Sequence, residues 1–373
     1  MKIVIAMDSF KGNLSAIEVC DIIASVIKER LPSAEILLKP IADGGEGTAD
    51  AMLKSIPGKW IPVNVTGPLF DMKVDAGFAW FEESRTALVE MASAAGLQLL
   101  KKEQCNPMKT TTYGVGELIK AAIEYNPEKI LLAIGGSATV DGGTGAASAI
   151  GWQFFDKIGV QVAGCGGGLK RIAKIIPPKQ EMNVPIEVLC DVQNPLCGEH
   201  GAAKIYGPQK GATPEMVEAL EEGLCHLGEL VREQLNRDIL EVPGAGAAGG
   251  LGAGALTFMN GRLVSGIDTI IKYSNIEAEL IDADWLITGE GCFDRQSLYG
   301  KVVTGISKIA SKAKVRIAVI AGQVKLSKEE YQKIGIATAI SCKPDIMDLD
   351  EALDKSRPLL QSAAEKLVKG NLV

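Results

Sequence analysis

Histidine is nearly missing from this chain: His200 and His226 are the only two in 373 residues. Neither stands in a Ser/His/Asp pattern or beside paired cysteines, so a histidine-based triad and a histidine-rich zinc centre both drop out. Aromatics are scarce as well, at 5% of residues, although 47% of the chain is hydrophobic. The core is therefore expected to be Ala, Val, Ile and Leu, the composition of parallel strands covered by helices. Eight cysteines are scattered with no C-x-x-C, which favours buried free thiols in a reducing cytoplasm over a disulfide framework. There is no basic stripe, and the formal net charge is −7. Neither nucleic acid nor an anionic membrane is an expected partner. No stretch approaches the ~18 apolar residues of a membrane-spanning helix. The opening run Lys2-Ile3-Val4-Ile5-Ala6 is too short for a secretion signal. G-x-x-x-x-G-K-[ST] is absent, as is the protein-kinase set of glycine loop, lysine and D-F-G, which argues against both of those nucleotide-binding classes.

Glycine, in contrast, is plentiful. The 42 glycines exceed average usage, and they cluster between periodic segments, where they mark loops. A strand is expected at residues 2–7 and a loop at 8–15. The capping pair Ser15 and Glu18 then opens a helix that stops before Pro32. A strand at 34–39, a glycine loop at 40–48 and a helix through Leu53 complete a β-loop-α-β-loop-α unit. The texture then changes. Residues 60–66, 72–81 and 85–91 read as three strands joined by short turns, which favours antiparallel pairing. A helix at 112–125 leads into a buried strand at 129–134. Beyond it come a strand at 186–189, a loop at 201–213, an amphipathic helix at 214–235 and a Gly/Ala stretch at 243–254. From residue 284 the early texture returns, with strands at 285–288, 316–321 and 336–340 and a closing helix at 349–367. The expected fold is α/β. A doubly wound, flavodoxin- or Rossmann-like parallel sheet occupies 1–59 and 284–373, and a second α/β domain with a mixed sheet is inserted at 60–283.

The loops at the strand ends carry the candidate chemistry. Gly135, Gly136, Ser137, Thr139 and Gly142 sit between a strand and a helix, an arrangement that offers backbone N–H groups and hydroxyls to phosphate. Asp141 adds a carboxylate for a magnesium ion shared with phosphate; the plain alternative is a tight turn whose glycines only solve backbone geometry. Asp8 and Lys11 follow the first strand, and Lys11 suits a phosphate or a substrate carboxylate, or is a solvated lysine. Asp43, before Gly44-Gly45, suits magnesium or a hydroxyl, or caps the next helix. Asp191 and Asn194 suit a polyol or metal, or an Asx turn before Pro195. Lys210 lies in a glycine-punctuated loop able to close over phosphates. Gly289, Glu290, Asp294 and Lys301 form the last glycine loop and the start of its helix. Gly244–Gly249 formally matches G-x-G-x-x-G, but Pro243 rather than a strand precedes it, so a tightly packed helix start fits better than a dinucleotide site. Acids, lysines, amides and glycine loops without a triad describe phosphoryl transfer, where positioning and charge neutralisation do most of the catalysis.

Taken in order, these stretches resemble one family, the bacterial glycerate kinases of the two-domain type that lacks a P-loop. The resemblance rests on Asp8-Ser9-Phe10-Lys11-Gly12, Ala42-Asp43-Gly44-Gly45-Glu46-Gly47-Thr48 and Gly135-Gly136-Ser137-Ala138-Thr139 with Asp141-Gly142-Gly143. It continues through Cys190-Asp191-Val192, Asn194-Pro195-Leu196, Gly207-Pro208-Gln209-Lys210-Gly211-Ala212 and the glycine-rich run after Pro243. It ends at Gly289-Glu290-Gly291 with Asp294, Gln296, Gly300 and Lys301. Two departures stand out: Val140 replaces the family's usual Asn, and Cys292 and Ser297 replace its usual Arg and Thr.

The resemblance implies ATP-dependent phosphorylation of D-glycerate to 2-phosphoglycerate, or the 3-isomer, with ADP released and Mg2+ as cofactor. It also implies a site in the cleft between the two domains. Within the matching motifs, Asp191, then Asp43, is assigned the hydroxyl proton, and Lys11 the substrate carboxylate. Asp8, Asn194 and Lys210 join Lys11 in binding substrate. Gly135, Gly136, Ser137, Thr139, Gly142, Gly289, Glu290 and Lys301 go to the nucleotide phosphates, and Asp141 and Asp294 to magnesium. A kinase for another small hydroxy acid or polyol, and a non-catalytic ligand sensor, are the alternatives.

Overall fold

The run Ile3-Val4-Ile5-Ala6-Met7 is 0% exposed at every position, so the strand Lys2–Met7 is buried on both faces, as a central parallel strand must be. The computed structural model describes residues 1–10, 12–42, 44–180, 182–298 and 302–372, with only the backbone of Gln296. The chain divides into two units. The first holds Met1–Asp43, Asp50–Pro57 and Ile267–Val373, and the second Gly44–Ala49 and Gly58–Gly266.

The first unit contains a five-stranded, wholly parallel sheet. Its order is Ile336–Ser341, Arg316–Ala321, Trp285–Gly289, Lys2–Met7, Glu35–Leu38. Side chains alternate across a strand. Ile3, Ile5 and Met7 share a core with Val19, Ile23 and Ile27 of the helix Ala16–Arg30 and with Leu360 and Leu367 of the helix Ser356–Leu367. The alternate residues Val4, Ala6, Leu286, Ile317 and Val319 are equally buried, so the opposite face is covered too. Ser15 caps the first helix as its sequence predicts: its hydroxyl accepts the Glu18 N–H, and the Glu18 carboxylate accepts the Ser15 N–H. From Lys2–Met7 the chain steps first to one neighbour, Glu35–Leu38, and later to the other, Trp285–Gly289. The topological switch point therefore lies between Lys2–Met7 and Trp285–Gly289, and Asp8 and Glu290 follow those two strands directly. Ligands of open parallel sheets bind outside the strand C-termini at such a point.

The second unit holds a six-stranded mixed sheet in the order Gly261–Val264, Ile186–Leu189, Lys129–Ala133, Thr86–Glu90, Lys73–Phe81, Lys59–Thr66. The first four strands pair in parallel, and the last two add the expected antiparallel meander. Val89, Leu132 and Val188 lie in one core with Leu220, Leu224 and Leu227 of the helix Pro214–Leu235. Among the described residues no helix is long and apolar enough to cross a membrane.

Three local expectations differ. The loop at 201–213 contains a short helix, Ala202–Tyr206, and a 3-10 turn, Pro208–Lys210. The closing helix is two, Leu349–Asp354 and Ser356–Leu367, broken at Lys355. Pro358 lies in the first turn of the second, where its missing N–H costs nothing; a continuous helix would need that N–H for the Asp354 carbonyl. The second junction also falls at Ile267 rather than 283/284. The helix Gly266–Ser274 buries Ile267, Ile270 and Ile271, and its Ser274 carbonyl accepts the Lys39 ammonium at 3.3 Å.

The helix Ala247–Phe258 opens with left-handed backbone at Ala248, Gly249 and Gly250. A Cβ on Gly249 would lie 1.9 Å from the Thr139 carbonyl oxygen, so the G-x-G-x-x-G stretch is a helix start pressed onto a neighbouring loop. Gly249→Ala should destabilise the protein by about 2–4 kcal/mol, through positive φ and overlap with a backbone atom. Urea unfolding checks this against Gly370→Ala, which meets nothing within 4 Å. Equal midpoints for the two variants would refute the account.

Candidate active site

The strand Lys129–Ala133 runs into the loop 134–143, and the helix Thr144–Ala149 follows. Asp141 organises this loop from inside. Its carboxylate is 0% exposed. Oδ2 accepts the Thr112 N–H at 2.8 Å, the Thr112 hydroxyl at 2.8 Å and the Gly145 N–H at 3.2 Å, and Oδ1 accepts the Gly143 N–H at 3.1 Å. The Thr112 hydroxyl in turn accepts the Ala146 N–H at 2.9 Å. Burial pushes the Asp141 carboxyl up from its ordinary range, and the donors oppose that shift. Three of the four neighbouring groups are backbone N–H donors that cannot accept a carboxyl proton, which favours the ionised form.

Asp141 is thus not the expected magnesium ligand: both oxygens are spent on the protein's own donors. The Gly142 N–H is also used, on the Gly249 carbonyl at 3.1 Å, so it is not part of a phosphate cradle. The helix Thr144–Ala149 has its first N–H groups satisfied by Asp141 and Thr112 and offers no open anion site.

Lys210 closes the loop from the other side. The side chain is 2% exposed, and its ammonium donates to the Ser137 hydroxyl at 2.6 Å and the Thr139 carbonyl at 2.7 Å. Burial lowers its pKa to about 7, against the pull of the Asp141 charge. The expected substrate-binding cation is a buried strut. Ser137 and Thr139 are drawn into the same arrangement: the Ser137 hydroxyl accepts from Lys210, and Thr139 is 0% exposed. Neither side chain is presented for phosphate. Gly135 donates its N–H to the Gly44 carbonyl at 3.2 Å, and a Cβ there would meet the Gly45 Cα at 2.5 Å. Gly136 is the exposed residue of the loop. Val140, where the family usually has Asn, is 0% exposed and lies in the unit's hydrophobic core, a position with no use for an amide.

At the next strand end, Asp191 is exposed, and its Oδ1 accepts the Gly266 N–H at 2.9 Å, which anchors it at the start of the helix Gly266–Ser274. Asn194 is committed to its own loop. Its Nδ2 donates to the His200 carbonyl at 2.8 Å, its Oδ1 accepts the Tyr206 hydroxyl at 2.7 Å, and its carbonyl accepts the Gly246 N–H at 2.9 Å. Both ends of that amide are in use, so the expected polyol contact is replaced by a structural one.

In the first unit, Asp8 and Glu290 flank the switch point, 5% and 7% exposed. The Asp8 N–H donates to the Gly289 carbonyl at 2.9 Å, and its Oδ1 accepts the Ser9 N–H at 2.7 Å. Gly289 ends its strand so close to the neighbour that a Cβ would lie 1.7 Å from the Ile320 carbonyl. Asp294 is half-buried, accepts the Cys292 thiol at 3.7 Å and donates its N–H to the Ser297 hydroxyl at 3.1 Å. The two departures in this loop therefore hold Asp294 in its turn. Lys11, Asp43 and Lys301 lie outside the described residues. Among the described residues no three carboxylates converge closely enough to cage a metal alone. Magnesium bound together with phosphates needs only one or two, and Asp8, Glu290 and Asp294 have the right donor chemistry and strand-end position.

Sequence reasoning missed the threonine run. Thr110, Thr111 and Thr112 are all 0% exposed, and the first two donate to the Ala138 and Gly164 carbonyls at 2.9 and 2.6 Å. Three consecutive threonines just before a helix were the available signal. Glu90, the last residue of the strand Thr86–Glu90, was missed as well; its carboxylate accepts the Ala49 N–H at 2.6 Å.

The profile of the glycerate kinase family matches residues 3–371. A glycerate kinase from Halalkalibacterium halodurans is 41% identical over 98% of this chain and 97% of its own length. A glycerate 2-kinase from Escherichia coli strain K12 is 41% identical over 94% and 93%. A crystal structure described as a glycerate kinase 2 from Salmonella typhimurium LT2 superposes with a TM-score of 0.83 at 40% identity, covering 99% of this chain and 97% of that one.

Asp141→Asn should cost about 3–5 kcal/mol, because an amide N–H₂ would face donors in a sealed site. Urea unfolding reads this directly, and a wild-type midpoint would show the network to be dispensable. Lys210 makes a pH prediction. Its folded pKa, about 7, lies below the ordinary 10.5, so the unfolded chain binds more protons between those values, and stability should rise with pH across that window. Lys210→Met should flatten the rise, measured as unfolding midpoints at several pH values. The same slope in both proteins would contradict the assignment.

Proposed function

The chain belongs to the glycerate kinase family, and from that premise we propose that this kinase transfers the γ-phosphoryl group of ATP to D-glycerate. ADP is released, and the product is 2-phosphoglycerate. The observation that carries the reading is the acidic pair Asp8 and Glu290 at the switch point of the parallel sheet, embedded in motifs that run in order along the chain. The glycerate 2-kinase among the relatives supports the 2-isomer.

Phosphoryl transfer asks the protein to orient the acceptor hydroxyl, take its proton and neutralise charge on the transferred group. Asp191 suits the proton: it is exposed, and its bond to the Gly266 N–H fixes the direction of the carboxylate. Asp43 is the second choice for that proton. Lys11 pairs with the glycerate carboxylate, and Asp8 stands beside it in sequence. Glu290 and Asp294, with Asp8, form the set that would hold magnesium. When bound with ATP, that ion neutralises charge on the phosphate oxygens. Lys301 offsets charge on the transferred group. Gly136, the exposed glycine of its loop, lets backbone approach the nucleotide; Gly135 and Gly289 give the close backbone packing that holds their loops. Asp141, Gly142, Asn194 and Lys210 have no direct part; they hold the loops on which the others depend. The eight free cysteines suit a cytoplasmic location.

Phosphorus NMR of the product formed from D-glycerate and Mg-ATP should give the 2-phosphoglycerate resonance. The 3-isomer would correct the regiochemistry, and a marked preference for another hydroxy acid or polyol in coupled ADP detection would defeat glycerate. Asp191→Asn should lower kcat by about 10²–10⁴ and leave the KM for ATP within about threefold. Unchanged kcat would remove Asp191 from the proton transfer.

A further inference from the structure

Cys197, Glu221 and Cys225 meet in the second unit, in the loop after Asn194 rather than at the strand ends. Cys197 follows Leu196 in the buried part of that loop. Glu221 and Cys225 are four residues apart on the helix Pro214–Leu235 and so share one face. One ligand atom from each of the three lies within 4.8 Å of the other two. The Cys225 thiol donates to the Glu221 Oε1 at 3.9 Å. That oxygen further accepts the Gly198 N–H at 2.5 Å.

The independent observation is the other carboxylate oxygen. Glu221 is 9% exposed, and its Oε2 is buried with no hydrogen-bond partner among the described residues. An orphan buried carboxylate oxygen is costly and calls for a partner. The surroundings are negative: Glu241 acts on Cys197 and Glu229 on Cys225. Lys204 interacts with the Glu221 charge, and its ammonium pairs with Glu199 at 2.8 Å.

We propose that Cys197, Glu221 and Cys225 form a three-ligand site for one divalent ion of the zinc class, which clamps the loop after the strand Ile186–Leu189 to the helix Pro214–Leu235. Two sulfurs and one carboxylate select a borderline-soft metal and disfavour magnesium. Tetrahedral zinc with bonds of about 2.0–2.3 Å holds its ligand atoms roughly 3.3–3.8 Å apart, so closure needs movement of an ångström or less. On binding, each thiol releases one proton to solvent and becomes a thiolate. The three anionic ligands and the dication then sum to −1, and water completes the fourth position. No electron is transferred.

Cobalt(II) is the probe. The reduced, full-length protein, dialysed against chelator, should develop thiolate-to-cobalt charge-transfer absorption that saturates at one equivalent and is abolished by added zinc. Cys197→Ser and Cys225→Ser should each lose the band, and Glu221→Gln should weaken cobalt affinity by about tenfold or more. Circular dichroism verifies the fold of each variant; because Cys225 is only half-buried, Cys225→Ser decides the matter if Cys197→Ser fails to fold. Absence of the band in reduced wild type, or its survival in a folded Cys225→Ser protein, overturns the site.

Discussion

A single buried carboxylate sets the geometry of the loop 134–143 and of the two helix starts beside it. Asp141 carries full burial, which would be prohibitive for an unpaired charge, and four donors offset it. Those donors come from two places in the chain. Thr112 stands before the helix Tyr113–Ile123, and Gly143 and Gly145 open the helix Thr144–Ala149. The carboxylate therefore joins two helix starts at the end of one strand. Lys210 and Gly249 press on the same loop from other elements, the first through its ammonium and the second through backbone contact with Thr139. Loosening the charge would release all of these at once, because each uses the loop shape the others enforce.

Two kinds of acidic residue follow from this arrangement. Asp141 is saturated by backbone and hydroxyl donors, sealed from solvent, and acts on the fold alone. Asp8, Glu290, Asp294 and Asp191 stand just beyond the C-terminal ends of parallel strands, where the sheet's topology directs ligands. The proposed kinase chemistry draws on the second group.

Residue type and spacing carried the identification of the loops but not which of their polar groups the protein itself uses. A glycine loop with an aspartate, two hydroxyls and a downstream lysine looks the same whether its donors serve a ligand or the protein. In this loop most of them serve the protein: Asp141 accepts donors from Thr112, Gly143 and Gly145, and Lys210 donates to the Ser137 hydroxyl and the Thr139 carbonyl, while the buried Thr139 hydroxyl has no partner among the described residues. Asn194 is the same case at smaller scale, with its amide spent on His200 and Tyr206. The partners lie up to 73 residues away, beyond the reach of any local pattern. Cys292 and Ser297 show the converse. They depart from the family's usual residues, yet they support Asp294 through a thiol and a hydroxyl.

Local chemistry in the sequence was enough to determine the α/β class, the parallel and antiparallel strands, the Ser15 cap, the long helix Pro214–Leu235 and the family. Each of these depends on periodicity or on ordered short motifs, which neighbouring residues specify. Tertiary structure alone decided that Asp141 is sealed while Asp191 is exposed, that residues from Ile267 pack with the first unit, and that two cysteines converge on a glutamate that carries an orphan carboxylate oxygen. Those outcomes depend on which distant backbone supplies a hydrogen bond or a wall, and only the folded chain brings that backbone into place.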